Sequence, residues 1–232
     1  MTKFRIYLPT LLAILAIAGF QVASAATITI TLGNDTPGFS DGSVPPLIPQ
    51  ILGAQSGQPA PFDVGKGSDL FANLSESWTF NYGAIADPIT AATLTLGIVD
   101  HDSAATGSQV GSFSIDGNDL TGVLDAAFET GGGSADGEYN VYSLSLGAST
   151  LLDLLDGSAL VNLALAGPGL QTALFGGAVS ETANNGAHLI FSTLSIETAA
   201  LPAIPIPAAA PLFATALALF GLYRRRVQRK DV

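Results

Sequence analysis

The sequence predicts an all-β chain, an antiparallel β-sandwich of jelly-roll-like topology with one short helix. Three observations support this prediction. Seven to nine short runs alternate apolar and polar residues with the two-residue period of a β-strand. Turns rich in Gly, Asp and Asn separate these runs. The connections differ in length, which favours a jelly-roll or Greek-key strand order over a simple meander.

The alternating runs assign the strands in order along the chain, beginning with Thr and Ile at residues 27–32. Trp78 lies in the run "SESWTFNY", where its spacing favours a place in the core over a sugar-stacking surface. Leu189, Ile190 and Phe191 are apolar on both faces of the last run. The predicted inward residues are Trp78, Phe80 and Tyr82; Leu94, Leu96 and Ile98; Phe113 and Ile115; Tyr142, Leu144 and Leu146; Val161, Leu163 and Leu165; and Leu194 and Ile196.

Two segments depart from the strand pattern. Residues 33–75 are rich in Gly, Pro, Ser and Asp, and we interpret them as a long loop packed over the sandwich, with room for one short strand. The stretch "STLLDLLDG" has leucines at helical spacing and predicts the one short helix. Ser149 or Thr150 can cap this helix, and Gly157 can end it.

The N-terminus has the three parts of a secretory signal peptide, predicted for residues 1–25. Lys3 and Arg5 precede an apolar run at residues 6–20. Ala23 and Ala25 occupy the two small positions that a signal peptidase reads, so Ala26 becomes the first mature residue. A short N-terminal membrane anchor is the alternative interpretation.

Charge and cysteine content exclude several classes of function. Of the eight Lys and Arg residues, only Lys66 lies between residues 26 and 223. Of the 19 Asp and Glu residues, all except Asp231 lie in this span, which therefore carries a net charge of −17. Such a body repels phosphate backbones, which excludes nucleic acid as a partner. The chain has no cysteine, which excludes disulfides, zinc–thiolate sites and cysteine nucleophiles.

The stretch "VDHDS" is the strongest candidate for a metal site. Asp100 and Asp102 follow a predicted strand and would share one side of an extended chain, and carboxylate oxygens of this kind suit Ca²⁺. A solvated, Asp-rich turn is the alternative. Zinc fits less well because His101 and His188 are the only histidines. The acidic loops at 33–42, 116–119 and 136–138 are better explained as turns.

Catalysis has little support in the sequence, and we predict that the chain is not an enzyme. No Gly-x-Ser-x-Gly turn is present to hold a nucleophilic serine. A pair of carboxylates for glycoside cleavage remains an alternative, but no particular pair among the acids is marked.

The C-terminal residues 201–232 predict a short, marginal membrane segment. Pro202, Pro205, Pro207 and Pro211 divide the uncharged stretch, so that only residues 211–223 can form an uninterrupted helix. Thirteen residues cover about 20 Å, less than the hydrocarbon core of roughly 30 Å. The basic cluster at 224–230, beginning with Arg224, Arg225 and Arg226, would hold that end in the cytoplasm.

This tail resembles the PEP-CTERM sorting signal of Gram-negative bacteria, in its Val-Pro-Leu-Pro-Ala variant. The motif residues are Ile204, Pro205, Ile206, Pro207 and Ala208, followed by the apolar helix and the Arg cluster. The chain lacks a Glu between the prolines and has Pro211 where an aromatic residue is common. The resemblance covers about 29 residues and implies processing near 204–208 by an exosortase in the inner membrane. A plain C-terminal anchor is the alternative.

Taken with the acidic domain at residues 26–200, the resemblance implies an exported protein, tethered to the inner membrane as a precursor and then released to the cell envelope or extracellular matrix. Such proteins accompany exopolysaccharide production and biofilm matrix. A structural or polysaccharide-binding role, with Ca²⁺ as the favoured cofactor, is the first hypothesis. A secreted hydrolase acting on that polysaccharide is the second.

Overall fold

The alternating runs form antiparallel strands in the computed structural model, which describes residues 25–44, 48–133, 135–172 and 178–199, together with 213, 215–217 and 219–220. Most of the predicted signal peptide, the 204–208 motif and the 224–230 cluster lie outside these residues. The described residues of the tail are helical. Within the described part of the chain, no helix is both long and apolar enough to cross a membrane.

Residues 25–199 form a unit built on two four-stranded antiparallel sheets and one hairpin. The first sheet contains, in spatial order, β1 (Thr27–Gly33), β10 (His188–Thr198), β3 (Ile89–Val99) and β6 (Tyr139–Ser145). The second contains β2 (Ser75–Asn81), β7 (Ser158–Leu165), β4 (Val110–Ile115) and β5 (Asn118–Asp119). Strands β8 (Gly169–Thr172) and β9 (Val179–Thr182) form the hairpin. The mostly β, antiparallel fold predicted from the sequence is therefore confirmed.

The two sheets share one hydrophobic core, to which every strand of the two sheets except the two-residue β5 contributes side chains. Leu94 of the first sheet and Phe80 and Val161 of the second are fully buried in the same cluster. Trp78 belongs to this cluster, as its spacing predicted. Burying one such side chain stabilises the fold by about 1.5–3 kcal/mol, and without disulfides this core carries the stability.

A second, smaller cluster covers the opposite face of the first sheet at one end. Helix α1 (Ile48–Gln55) packs there through Ile51 against Ile190 and Phe191 of β10. This cluster explains why residues 189–191 are apolar on both faces. The sequence prediction of a loop with at most a strand at 33–75 was wrong at this point, because tertiary packing stabilises a helix that lacks a clear period of its own.

Helix α2 (Thr121–Gly131) was also missed, because only two of its side chains, Leu124 and Phe128, are buried. The predicted helix is present as α3 (Ala148–Asp153), continued by a 3₁₀ turn at Leu154–Asp156. Gly157 ends it with a φ of 96°. The predicted end at Gly157 is thus confirmed, but the predicted caps Ser149 and Thr150 are wrong, because Gly147 occupies the N-cap position. The described domain thus has three helices rather than one.

Strand β10 runs from the loop region near Asp100 to the end of the domain where the chain enters and leaves. At one end, the Thr198 N–H donates to the Ala26 carbonyl (2.9 Å), so the chain enters and leaves the domain side by side. At the other end, His188 pairs with Val99, directly before Asp100. The eleven residues of β10 separate the two ends by about 35 Å. Asp100 therefore lies at the end of the domain remote from Ala26 and Thr198.

Candidate metal centre

Three aspartates from separate parts of the chain converge beside the end of β3. Carboxylate oxygens of Asp69, Asp100 and Asp102 all lie within 4.8 Å of one another. Asp100 and Asp102 follow β3, whereas Asp69 comes from the segment before β2. Among the described residues, no other group of three acidic, histidine or cysteine side chains meets in this way. The structure therefore brings the predicted pair together and adds a third carboxylate.

The sequence prediction assumed an extended chain at Asp100 and Asp102, and this assumption is wrong. Both residues are in the left-handed region, with φ of 65° and 55°. His101 between them enters the core, is 1% exposed and shares a 2.6 Å hydrogen bond with the Tyr142 hydroxyl. Aspartate tolerates this conformation better than most residues do. The tight turn around the buried imidazole sets the positions of the two flanking carboxylates.

Asp69 is held by the loop that precedes β10. The Gly186 N–H donates to Asp69 Oδ1 (2.8 Å), and the Asn184 N–H donates to the Asp69 carbonyl (3.3 Å). The Asn185 side chain then donates from Nδ2 to the His101 carbonyl (2.9 Å). Residues 184–186 therefore connect the segment of Asp69 to the segment of Asp100 and Asp102.

Asp102 is the most deeply placed of the three carboxylates. Its side chain is 3% exposed, and its Oδ2 accepts a hydrogen bond from the Leu170 N–H (2.7 Å). Its Oδ1 and the Oδ1 of Asp100 are buried and have no hydrogen-bond partner in the described structure. Burying an unpaired carboxylate oxygen is costly, and a bound cation is one arrangement that removes the cost.

The electrostatic environment disfavours three free carboxylates. Burial raises the pKa of Asp100, and the neighbouring carboxylates of Asp102, Asp69 and Asp136 raise it further. Burial also raises the pKa of Asp102, although the hydrogen bond from the Leu170 N–H opposes this effect. The pKa of Asp69 is raised, again mainly by burial. A divalent cation would reverse these effects because it favours the charged form of every ligand.

Asp136 belongs to the same electrostatic cluster. The Asp100 N–H donates to the Glu138 carbonyl (3.0 Å), which holds the turn containing Asp136 against Asp100. Asp136 Oδ2 itself accepts a hydrogen bond from the Thr172 N–H (2.5 Å). The stretch 136–138, interpreted from the sequence as a plain turn, therefore contributes a fourth carboxyl group to the cluster.

The donor atoms present fit a hard cation such as Ca²⁺, which prefers carboxylate and other oxygen ligands. The histidines that a zinc site would need do not join the cluster. His101 faces Tyr142 and Phe128 in the core, and the Nδ1 of His188 bonds to the Oε1 of Gln55 (2.9 Å). Burial lowers the pKa of both imidazoles, which keeps them neutral.

The other acidic loops behave as the turns that the sequence indicated. Asp116 and Gly117 have φ of 50° and 79° and form the two-residue turn between β4 and β5. In the 33–42 loop, Asp41 Oδ1 accepts a hydrogen bond from the Val141 N–H (2.8 Å). Asp69 and Asp136 were missed as site residues because each lies in an irregular segment, and no sequence spacing relates them to Asp100.

Comparisons with known proteins assign no family. No protein-family model matches the chain, and no curated protein matches it. Similar solved structures include BuGH86wt in complex with neoagarooctaose (TM-score 0.34, 10% identity, covering 75% of this chain and 19% of that one). Another is dimeric latent PorU from Porphyromonas gingivalis (TM-score 0.34, 9% identity, 78% of this chain and 14% of that one). Both likenesses are too distant to assign an activity.

Proposed function

We propose that this chain is an exported envelope or matrix protein whose β-sandwich binds Ca²⁺ through Asp69, Asp100 and Asp102 and has a structural or polysaccharide-binding role. One observation carries the proposal: the three carboxylates converge within 4.8 Å, and two of their buried oxygens have no partner. The site joins loops that are distant in sequence, so a bound ion would stabilise the folded state by mass action.

The topology of this module is, we propose, a jelly roll. Without the β8–β9 hairpin, eight strands remain, and consecutive strands alternate between the two sheets except at the β4–β5 hairpin, which is the order of two Greek keys. The hairpin is inserted between the seventh and eighth of these strands. This strand order supports the topology predicted from the uneven connections. Asp69, Asp100 and Asp102, which we propose as the calcium ligands, lie in loops of this topology.

The sorting of the chain remains part of the proposal. We infer an exosortase substrate from the resemblance of the tail, with a signal peptide at residues 1–25, a processing motif from Ile204 to Ala208 and a stop cluster beginning at Arg224. The inner membrane would hold the precursor only transiently, because the apolar segment at 211–223 is short for a bilayer. Extracellular calcium would then be available to the exported domain.

A hydrolase is the weaker candidate. Its catalytic carboxylates would have to contact a glycosidic bond, whereas Asp102 is 3% exposed and accepts a backbone hydrogen bond from Leu170. Asp69 is likewise occupied by the Gly186 N–H. These constraints suit ligands that hold an ion in a fixed position better than a mobile acid and base.

The test is a calorimetric titration of the full chain, purified in detergent, with Ca²⁺ and separately with Mg²⁺. We expect one Ca²⁺ per chain. Mg²⁺ should bind more weakly, because it is a smaller ion that requires near-octahedral coordination. The double variant Asp100→Asn, Asp102→Asn should lose binding, whereas Asp35→Asn, an exposed residue outside the cluster, should bind like the wild type. Equal binding by the double variant would place calcium elsewhere and refute this site.

A further inference from the structure

The turn that carries Asp69 also presents two apolar side chains to solvent. Leu70 is 53% exposed, and Phe71, at 83%, is the most exposed large apolar side chain among the described residues. The N–H groups of Phe71 and Ala72 both donate to the Ser68 carbonyl (3.0 Å each), so the turn is ordered. An exposed aromatic ring on an ordered turn offers a surface on which the apolar face of a ligand can pack. We call residues 70 and 71 the apolar tip.

The apolar tip lies within reach of a ligand on the cation. Phe71 is two residues from Asp69, so their Cα atoms are at most about 7 Å apart. Ca²⁺ takes about six to eight oxygen ligands. Three aspartates supply fewer than six oxygens unless each of them binds through both of its carboxylate oxygens. A sugar ring could therefore contact the Phe71 ring while its hydroxyl groups bind the cation.

The charge of the site selects the kind of oxygen that completes the coordination. Three carboxylates and one Ca²⁺ leave a net charge of −1, and Asp136 adds another negative charge beside Asp100. Lys66, the one base of the domain, forms its ion pair with Asp63 (3.2 Å). The negative charge of such a site repels phosphate and carboxylate ligands, which are also negative, but it does not repel neutral hydroxyl groups.

We propose that the apolar tip and the cation form one binding site for a neutral polysaccharide. Two adjacent sugar hydroxyls complete the coordination of Ca²⁺, and the apolar face of the same sugar ring packs on Phe71. This inference rests on the proposed calcium site and names the class of ligand that the site takes.

The experiment measures binding of the full chain to a panel of neutral polysaccharides (cellulose, agarose, curdlan and mannan), with calcium or with EDTA. At least one of them should bind in calcium, and EDTA should abolish that binding. Phe71→Ala should weaken it at least tenfold and leave the calcium affinity unchanged. The matched control is Leu152→Ala, which truncates a side chain that is 70% exposed on α3 and should bind like the wild type.

Each outcome separates this inference from the proposed function. Absence of calcium binding would refute the metal site itself. Normal calcium binding without binding to any of the four polysaccharides, or full binding by Phe71→Ala, would refute the inference alone. Vesicles of phosphatidylcholine and phosphatidylserine form the last arm: calcium-dependent binding to them that requires Phe71 would assign the apolar tip to a membrane and overturn the proposal.

Discussion

Replacing Asp100 by Asn separates a calcium ligand from an ordinary structural aspartate. Asn tolerates the left-handed φ of 65° at this position as well as Asp does. The amide keeps the shape of the carboxyl group, and Asp100 Oδ1 has no hydrogen bond to lose. The substitution therefore removes an ionisable group whose charged form the cluster disfavours, and the Asn amide can still donate a hydrogen bond to Asp136.

The expected effect has opposite signs with and without calcium. Without the ion, burial and the neighbouring aspartates raise the Asp100 pKa, and each unit of that shift corresponds to about 1.4 kcal/mol. The unfolded chain ionises Asp100 freely and the folded domain does not, so replacing this group by Asn should stabilise the calcium-free domain by about 1–3 kcal/mol, or roughly 2–12 °C in Tm for a domain of this size. At a calcium concentration 100 times the wild-type Kd, the ion adds about 2.7 kcal/mol to the wild type. It adds only about 1.4 kcal/mol to a variant that binds tenfold more weakly.

The assay is thermal unfolding of the full chain, followed by circular dichroism in EDTA and in calcium. Asp35→Asn is the matched control, because it makes the same charge change at an exposed position. We expect the control to follow the wild type under both conditions. The electrostatic reasoning would be refuted if the Asp100→Asn variant were less stable than the wild type in EDTA. It would also be refuted if calcium stabilised the variant as much as it stabilises the wild type.

Three further predictions concern pH, processing and the isolated domain. Because burial raises the folded-state pKa of Asp100 and Asp102 above 3.8, the folded state holds more protons than the unfolded chain, and stability in EDTA should fall as pH rises from 6.5 to 8.5. Melting curves check this in a window above the ordinary histidine pKa of 6.5, where the buried histidines contribute little, and saturating calcium should remove the slope. If the tail is a sorting signal, intact mass spectrometry of mature protein from the native host should find no residues beyond about 208; retention of the Arg cluster on most molecules would indicate a plain anchor. Residues 26–200 alone should give a monomer with a β-type circular dichroism spectrum, cooperative melting and a midpoint that rises with moderate salt, because salt screens the net charge of −17. A helix-dominated spectrum, or aggregation at every salt concentration, would contradict this.

Strand positions and inward faces could be predicted from the sequence because they depend on local alternation. The inward sets containing Leu94, Phe113 and Leu163 are buried as their period indicated. The turn at Asp116 and Gly117 could also be predicted from the sequence, since only a few residue types accept its positive φ values. These features need no information from distant parts of the chain.

Helix α1 and the metal centre depend on contacts that no local pattern encodes. Ile51 packs on residues about 140 positions further along the chain, and this packing selects a helix in a segment rich in turn-forming residues. The sequence alone marked Asp100 and Asp102 through their place after a strand. Only the tertiary structure added Asp69 and Asp136, because strand pairing brings their loops to the same end of the sandwich, where burial and mutual repulsion make the four carboxylates one electrostatic unit.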